Sequence, residues 1–139
     1  MPRGLSPSKF ALSLTAFGLV TRDQAKTIFQ KITIDLDTAV VLGTPVDLGG
    51  ARGNWFPSIN KPSSAVDKDA RDKSGSGAVG KITSTAMGAD LGDTVWLTNN
   101  LPYILPLENG HSKLQAPQGM VDINLNAAAA QYGGTVSRK

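Results

Sequence analysis

Residues 21 to 43 constrain the fold more than any other stretch, because only there does one apolar period persist over several turns. Ala25, Ile28, Phe29, Ile32, Leu36, Ala39 and Val40 share one face at helical spacing. Thr21 and Gln24 stand at the separation of a capping box, while Gly43 and Pro45 supply the stop. The β-branched residues between 31 and 41 lower intrinsic helix propensity, yet a period held this long outweighs them. The sequence therefore predicts a helix over about 22 to 42. Its apolar face must be covered by whatever the rest of the chain provides.

The rest is short and punctuated. Ser6 before Pro7 reads as a helix start, with Phe10, Leu14 and Phe17 recurring behind it and Gly18 as the stop. That predicts a short helical arm over 1 to 20. Ser13, Thr15 and Gly18 interrupt its apolar run and no A-x-A site follows, so a secretory leader fits less well. "NWFPSIN" reads as extended. Residues 61 to 81, rich in Ser, Gly, Lys and Asp, read as a flexible insertion loop. "GDTVWLTNN" predicts a strand, and "LPYILPLENG" a helical turn that Pro106 keeps short. Residues 121 to 132 stay open: Val121, Ile123 and Leu125 alternate like a strand, whereas the alanines favour helix. The expected architecture is a single α+β domain over 1–139. One long and one short N-terminal helix pack on a small, mainly antiparallel sheet, with a long mobile loop at about 61–81.

Few kinds of chemistry survive inspection. Without cysteine there is no disulfide, thiol nucleophile or zinc-thiolate site. No apolar run reaches the ~20 residues of a membrane helix. The 14 basic and 11 acidic residues leave a net charge of +3, too mild by itself to signal a nucleic-acid binder. His111 is the sole histidine and Glu108 the sole glutamate, and the intervening Gly110 argues for a turn rather than a helical ligand pair. Asp35 and Asp37 read as solvated. "GGARG" lacks the phosphate-loop pattern and follows a helix rather than a strand. The expectation is no enzyme, no cofactor and no metal.

"TPVDLGGARGNW" then reads as a structural corner. Asp47 is expected to accept from turn amides, Gly49 to allow positive φ, and Arg52 to lock onto a carboxylate such as Asp47 or Glu108. Trp55 is expected to enter the core or a subunit boundary. This block and the later "LTNNLPYILPLENGHSKLQAPQGMV" together resemble the minor tail component family of tailed bacteriophages, the tail-completion or neck proteins at the head–tail joint. Thr44, Pro45, Val46, Asp47, Gly49, Arg52 and Trp55 match its first block. Thr98, Asn99, Asn100, Pro102, Tyr103, Leu107, Glu108, Gly110, Ser112, Gln115, Ala116, Pro117, Gly119 and Met120 match its second. Leu48 departs from the usual threonine, Pro106 shortens the turn, and Leu114 is an extra residue before Gln115.

The resemblance implies a virion structural protein, assembled in the host cytoplasm, that forms a closed homo-oligomeric ring on the DNA exit path. It implies a hexamer, with a dodecamer as the other symmetry, between phage connector and tail proteins. The genome would pass through the lumen and no membrane would be involved. Asp47, Gly49, Arg52, Trp55, Asn100, Tyr103, Glu108 and His111 would then hold the fold and the ring contacts. Two other readings stay open. One is a single-stranded nucleic-acid-binding module that stacks bases on Trp55, Phe56, Trp96 and Tyr103 beside Arg52. The other is a small hydrolase built on His111.

Overall fold

A computed structural model of the chain describes residues 21–110 and 112–132, together with the backbone of 9–13 and 135–138. In chain order the elements are β1 (Lys9–Ser13), α1 (Arg22–Gly43), α2 (Gly50–Gly53), β2 (Phe56–Ile59) and α3 (Ser76–Met87). Then follow β3 (Val95–Thr98), α4 (Ile104–Glu108), α5 (Asp122–Tyr132) and β4 (Thr135–Arg138). The chain is α+β, with helices packed on a small antiparallel sheet. The strands lie in the order β2-β3-β1-β4, and every neighbouring pair is antiparallel.

α1 forms as its sequence dictates. The Thr21 hydroxyl accepts from the Gln24 amide, and the Gln24 side chain accepts from the Thr21 amide, a complete capping box. Ile32, Leu36, Val40 and Val41 carry its buried stripe into the main core. There they meet Trp55, Ile82 of α3, Leu97 of β3, Ile104 of α4, Met120 and Val121 just ahead of α5, and Leu125 within it. A second, smaller cluster joins Phe29, Ala89 and Val95. Gln30 ties these layers together by donating to the carbonyls of Met87, the last residue of α3, and Ala89 just beyond it.

Three expectations are corrected. Lys9–Ser13 is a strand between β3 and β4, not part of a short helix, because pairing on both edges satisfies its backbone groups. The expected cap at Ser6 and stop at Gly18 lie outside the described residues. The loop expected over 61–81 also ends earlier, at the start of α3. Its last third is the start of α3, where Ala78, Ile82 and Ala86 bury one face, and its first part is pinned to the body. Asn54 is the clasp there: it donates to the carbonyls of Gly50 and Asp67 and accepts from the Asp67 amide. Finally, Asp37 is buried rather than solvated, whereas Asp35 is exposed and pairs with Lys31 at 2.6 Å. The open segment at 121–132 resolves as helix.

Candidate functional site

The two sequence blocks that carry the family resemblance lie far apart in the chain and meet at one end of α1. The Val46 amide donates to the Gln115 side chain at 2.7 Å, and Gln115 donates back to the Val46 carbonyl at 3.0 Å. Asn99, fully buried, donates to the Ala51 carbonyl and accepts from the Leu101 amide. Trp55 is also fully buried. Its indole donates to the Thr44 hydroxyl, which itself donates back to the Val40 carbonyl inside α1. Sequence blocks 44–55 and 98–120 are thus one corner.

Two charged side chains organise that corner, each at a helix end. Arg52 donates to the carbonyls of Leu42 (2.8 Å), Thr44 (2.9 Å) and Lys73 (2.9 Å). The expected carboxylate partner, Asp47 or Glu108, is not used. The last carbonyls of α1 have no intrahelical donor and carry the negative end of the helix dipole, so a guanidinium fork satisfies both needs. Glu108 does the converse. Its buried carboxylate accepts from the amides of Met120 (2.9 Å), Val121 (2.8 Å) and Asp122 (3.0 Å), the entry to α5. Asp72 applies the same device to α3, accepting from Gly77 and Ala78.

Glycine is required at two points of this corner. Gly49 has φ +91, and a Cβ there would stand 2.5 Å from the Asp72 amide nitrogen; its carbonyl accepts from both Gly53 and Asp72. Gly119 has φ +78, and a Cβ there would run into the Glu108 carbonyl and carboxylate. Substitution at Gly119 would therefore dislodge the cap of α5.

The remaining expected residues divide. Asn100 donates to the carbonyls of Ser63 and Ala65 and so holds the pinned segment at a second point, ahead of the Asn54 clasp at Asp67. Tyr103 is exposed, with its hydroxyl close over Gly50. Asp47 is exposed, and among the described residues no turn amide donates to it as expected. His111 lies outside the described residues. For base stacking, Trp55 offers no face because it is in the core, and all three guanidinium nitrogens of Arg52 are engaged. Lys81 covers Phe56, its ammonium 4.0 Å from the ring centroid. Asn54 and Asp72 were not singled out from the sequence, though an Asx residue ahead of a helix start was a visible signal for Asp72.

Beside the corner lies a cleft of about 400 Å³. Pro45, Val46, Ala51 and Leu107 give it apolar walls, and Lys68, Arg71 and Asp47 stand at its rim. The strongest electrostatic perturbation is elsewhere. Burial pushes the Asp37 carboxyl up to about 8, and one of its oxygens has no hydrogen-bond partner. Burial also pulls Lys81 down from its ordinary value, while bonds from the Asp90 amide and Asn60 hold Asp93 low. Among the described residues no group of three or more His, Asp or Glu side chains could hold a metal ion, and no helix is long and apolar enough to cross a membrane.

No protein-family model, no curated protein and no solved structure matches the chain.

Proposed function

We propose that this chain is a structural component of a tailed-phage virion, one subunit of a ring at the head–tail joint. The reading rests on the residues shared with the minor tail component family, and one observation carries it furthest. The two blocks of shared residues, 44–55 and 98–120, form a single hydrogen-bonded corner whose polar groups serve helix ends and loop backbones. A residue set used this way favours scaffolding over turnover. A ring of identical subunits needs two different, rigid faces on each copy, so that each contact closes by rotation. The corner offers one such face. Six copies suit the tail side of the joint, with twelve as the other symmetry, and the genome would pass through the lumen. The nucleic-acid alternative has less support, since Trp55 and Arg52 are committed inside the fold.

Native mass spectrometry of the purified protein, alone and mixed with the connector or tail proteins of the same phage, tests this reading. A closed oligomer of six or twelve copies, formed alone or on a partner, is the expected result. A strict monomer that joins neither partner would contradict it.

A further inference from the structure

Three polar side chains of α1 are buried: Gln30, Thr33 and Asp37. Gln30 and Thr33 donate to backbone carbonyls, whereas one carboxylate oxygen of Asp37 has no partner although the residue is only 4% exposed. The position of Asp37 on the helix tells what covers it. Gln30, two turns earlier on the same stripe, reaches the carbonyls at the end of α3. Val41, one turn later, stands at the other end of α3, where a Cβ on Gly75 would come within 2.9 Å of its side chain. Asp37 lies between these two points, opposite the middle of α3.

α3 itself is lightly held. Its buried face is Ala78, Ile82 and Ala86, one large side chain between two small ones. By contrast, α1 buries Phe29, Ile32, Leu36, Val40 and Val41. Glycine stands at each end of α3, Gly75 with φ +80 and Gly88. The bonds that fasten those ends come from side chains: Asp72 accepts from the Gly77 and Ala78 amides, and Gln30 donates to the carbonyls of Met87 and Ala89. A helix with a small apolar contact and glycine on both flanks is suited to opening by itself.

Among the described residues no charge compensates Asp37. Lys81 is the one titratable group of α3, and its ammonium stands over Phe56 of β2, a strand with no titratable side chain. Ahead of α3, Asp72 is engaged with the first amides and Lys73 is exposed. On α1, Lys31 and Asp35 pair at the surface, and Lys26 is three turns away. Burial alone raises the Asp37 carboxyl to about 8. With α3 lifted, the carboxyl regains water and ionises in its ordinary range. The closed form holds the raised value, so it is fully favoured at low pH and loses ground as pH rises through about 8.

We propose that α3 is a detachable flap, which opens from α1 as a unit while the rest of the core stands, and that ionisation of Asp37 shifts it toward the open form. The flap lies within one subunit, so the inference does not depend on the ring.

Amide hydrogen exchange of the full chain, corrected for the intrinsic pH dependence of exchange, tests this. At pH 6 the amides of α3 should exchange at least about tenfold faster than those of α1, because they open without global unfolding. Between pH 6 and pH 9 their protection should fall about a hundredfold further. Asp37→Asn should remove that fall. Asp72→Ala, which weakens the cap of α3 and leaves Asp37 in place, should lower α3 protection about fivefold at every pH and keep the fall. Equal protection of α3 and α1 would overturn the proposal, since the opening would then be global. So would α3 protection that ignores pH, a fall that survives Asp37→Asn, or one that vanishes in Asp72→Ala. Thermal melts check that both variants fold, and the wild-type and Asp72→Ala curves decide the question even where Asp37→Asn folds poorly.

Discussion

Arg52 and Glu108 do the same work with opposite charge at opposite helix ends. Arg52 lies over the terminal carbonyls of α1, and Glu108 over the amides that lead into α5, the first of the helix included. The two ends adjoin: Asn124 near the start of α5 donates to the Ala39 carbonyl in α1, and a Cβ on Gly43 would stand 3.3 Å from that of Met120. A sequence holding one arginine and one glutamate in two neighbouring corners invites pairing them with each other. Each instead meets a helix terminus, where backbone groups without partners stand at the dipole end of matching sign. The lesson concerns the unpaired groups. A terminal amide or carbonyl that is shut away from water must find a partner, whereas two surface charges gain little by meeting.

The two caps differ in burial, which ranks the consequences of removing them. Glu108 is buried and answers three amides, while Arg52 is half-exposed. Glu108→Ala should therefore be the most damaging change here, costing about 3–4 kcal/mol in chemical denaturation, since water cannot readily replace the carboxylate. Glu108→Gln keeps one acceptor oxygen and should lose about half as much. Asp37 sharpens the contrast as a buried charge-bearing group that caps nothing. Its folded pKa, about 8, lies above the unfolded value of 3.8. Its stabilisation is therefore fully present below pH 4 and is lost as pH rises through about 8. Between pH 5 and pH 9 the wild type should lose ~4 kcal/mol that Asp37→Asn retains, visible as diverging melting curves. Arg52→Ala should cost about 2 kcal/mol, and Arg52→Lys nearly as much because an ammonium cannot fork across three carbonyls. Gln115→Ala, removing an exposed amide pair, should cost about 1 kcal/mol and leave both caps in place.

α1 was legible because its cap, its apolar stripe and its stop all agree within one local stretch. β1 was not legible, since the helical spacing of Phe10 and Leu14 competes with strand partners at 95–98 and 135–138 that no local window contains. α3 hid behind its composition. Ser and Gly suggest a loose loop, but Ala78, Ile82 and Ala86 already stood at helical spacing, and Asp72 already stood ahead to cap them. Trp55 and the Asn99–Asn100 pair could be flagged as important from the sequence. Their roles could not, because the donors and acceptors they meet are backbone groups brought together only by folding.

A double-mutant cycle on Arg52 and Glu108 tests most directly whether these two residues serve separate helix ends. Unfolding free energies of the wild type, Arg52→Ala, Glu108→Ala and the double variant should show additive losses, with a coupling below about 0.5 kcal/mol. A coupling above about 1.5 kcal/mol would mean that the arginine and the glutamate act on each other, and the capping account would be wrong.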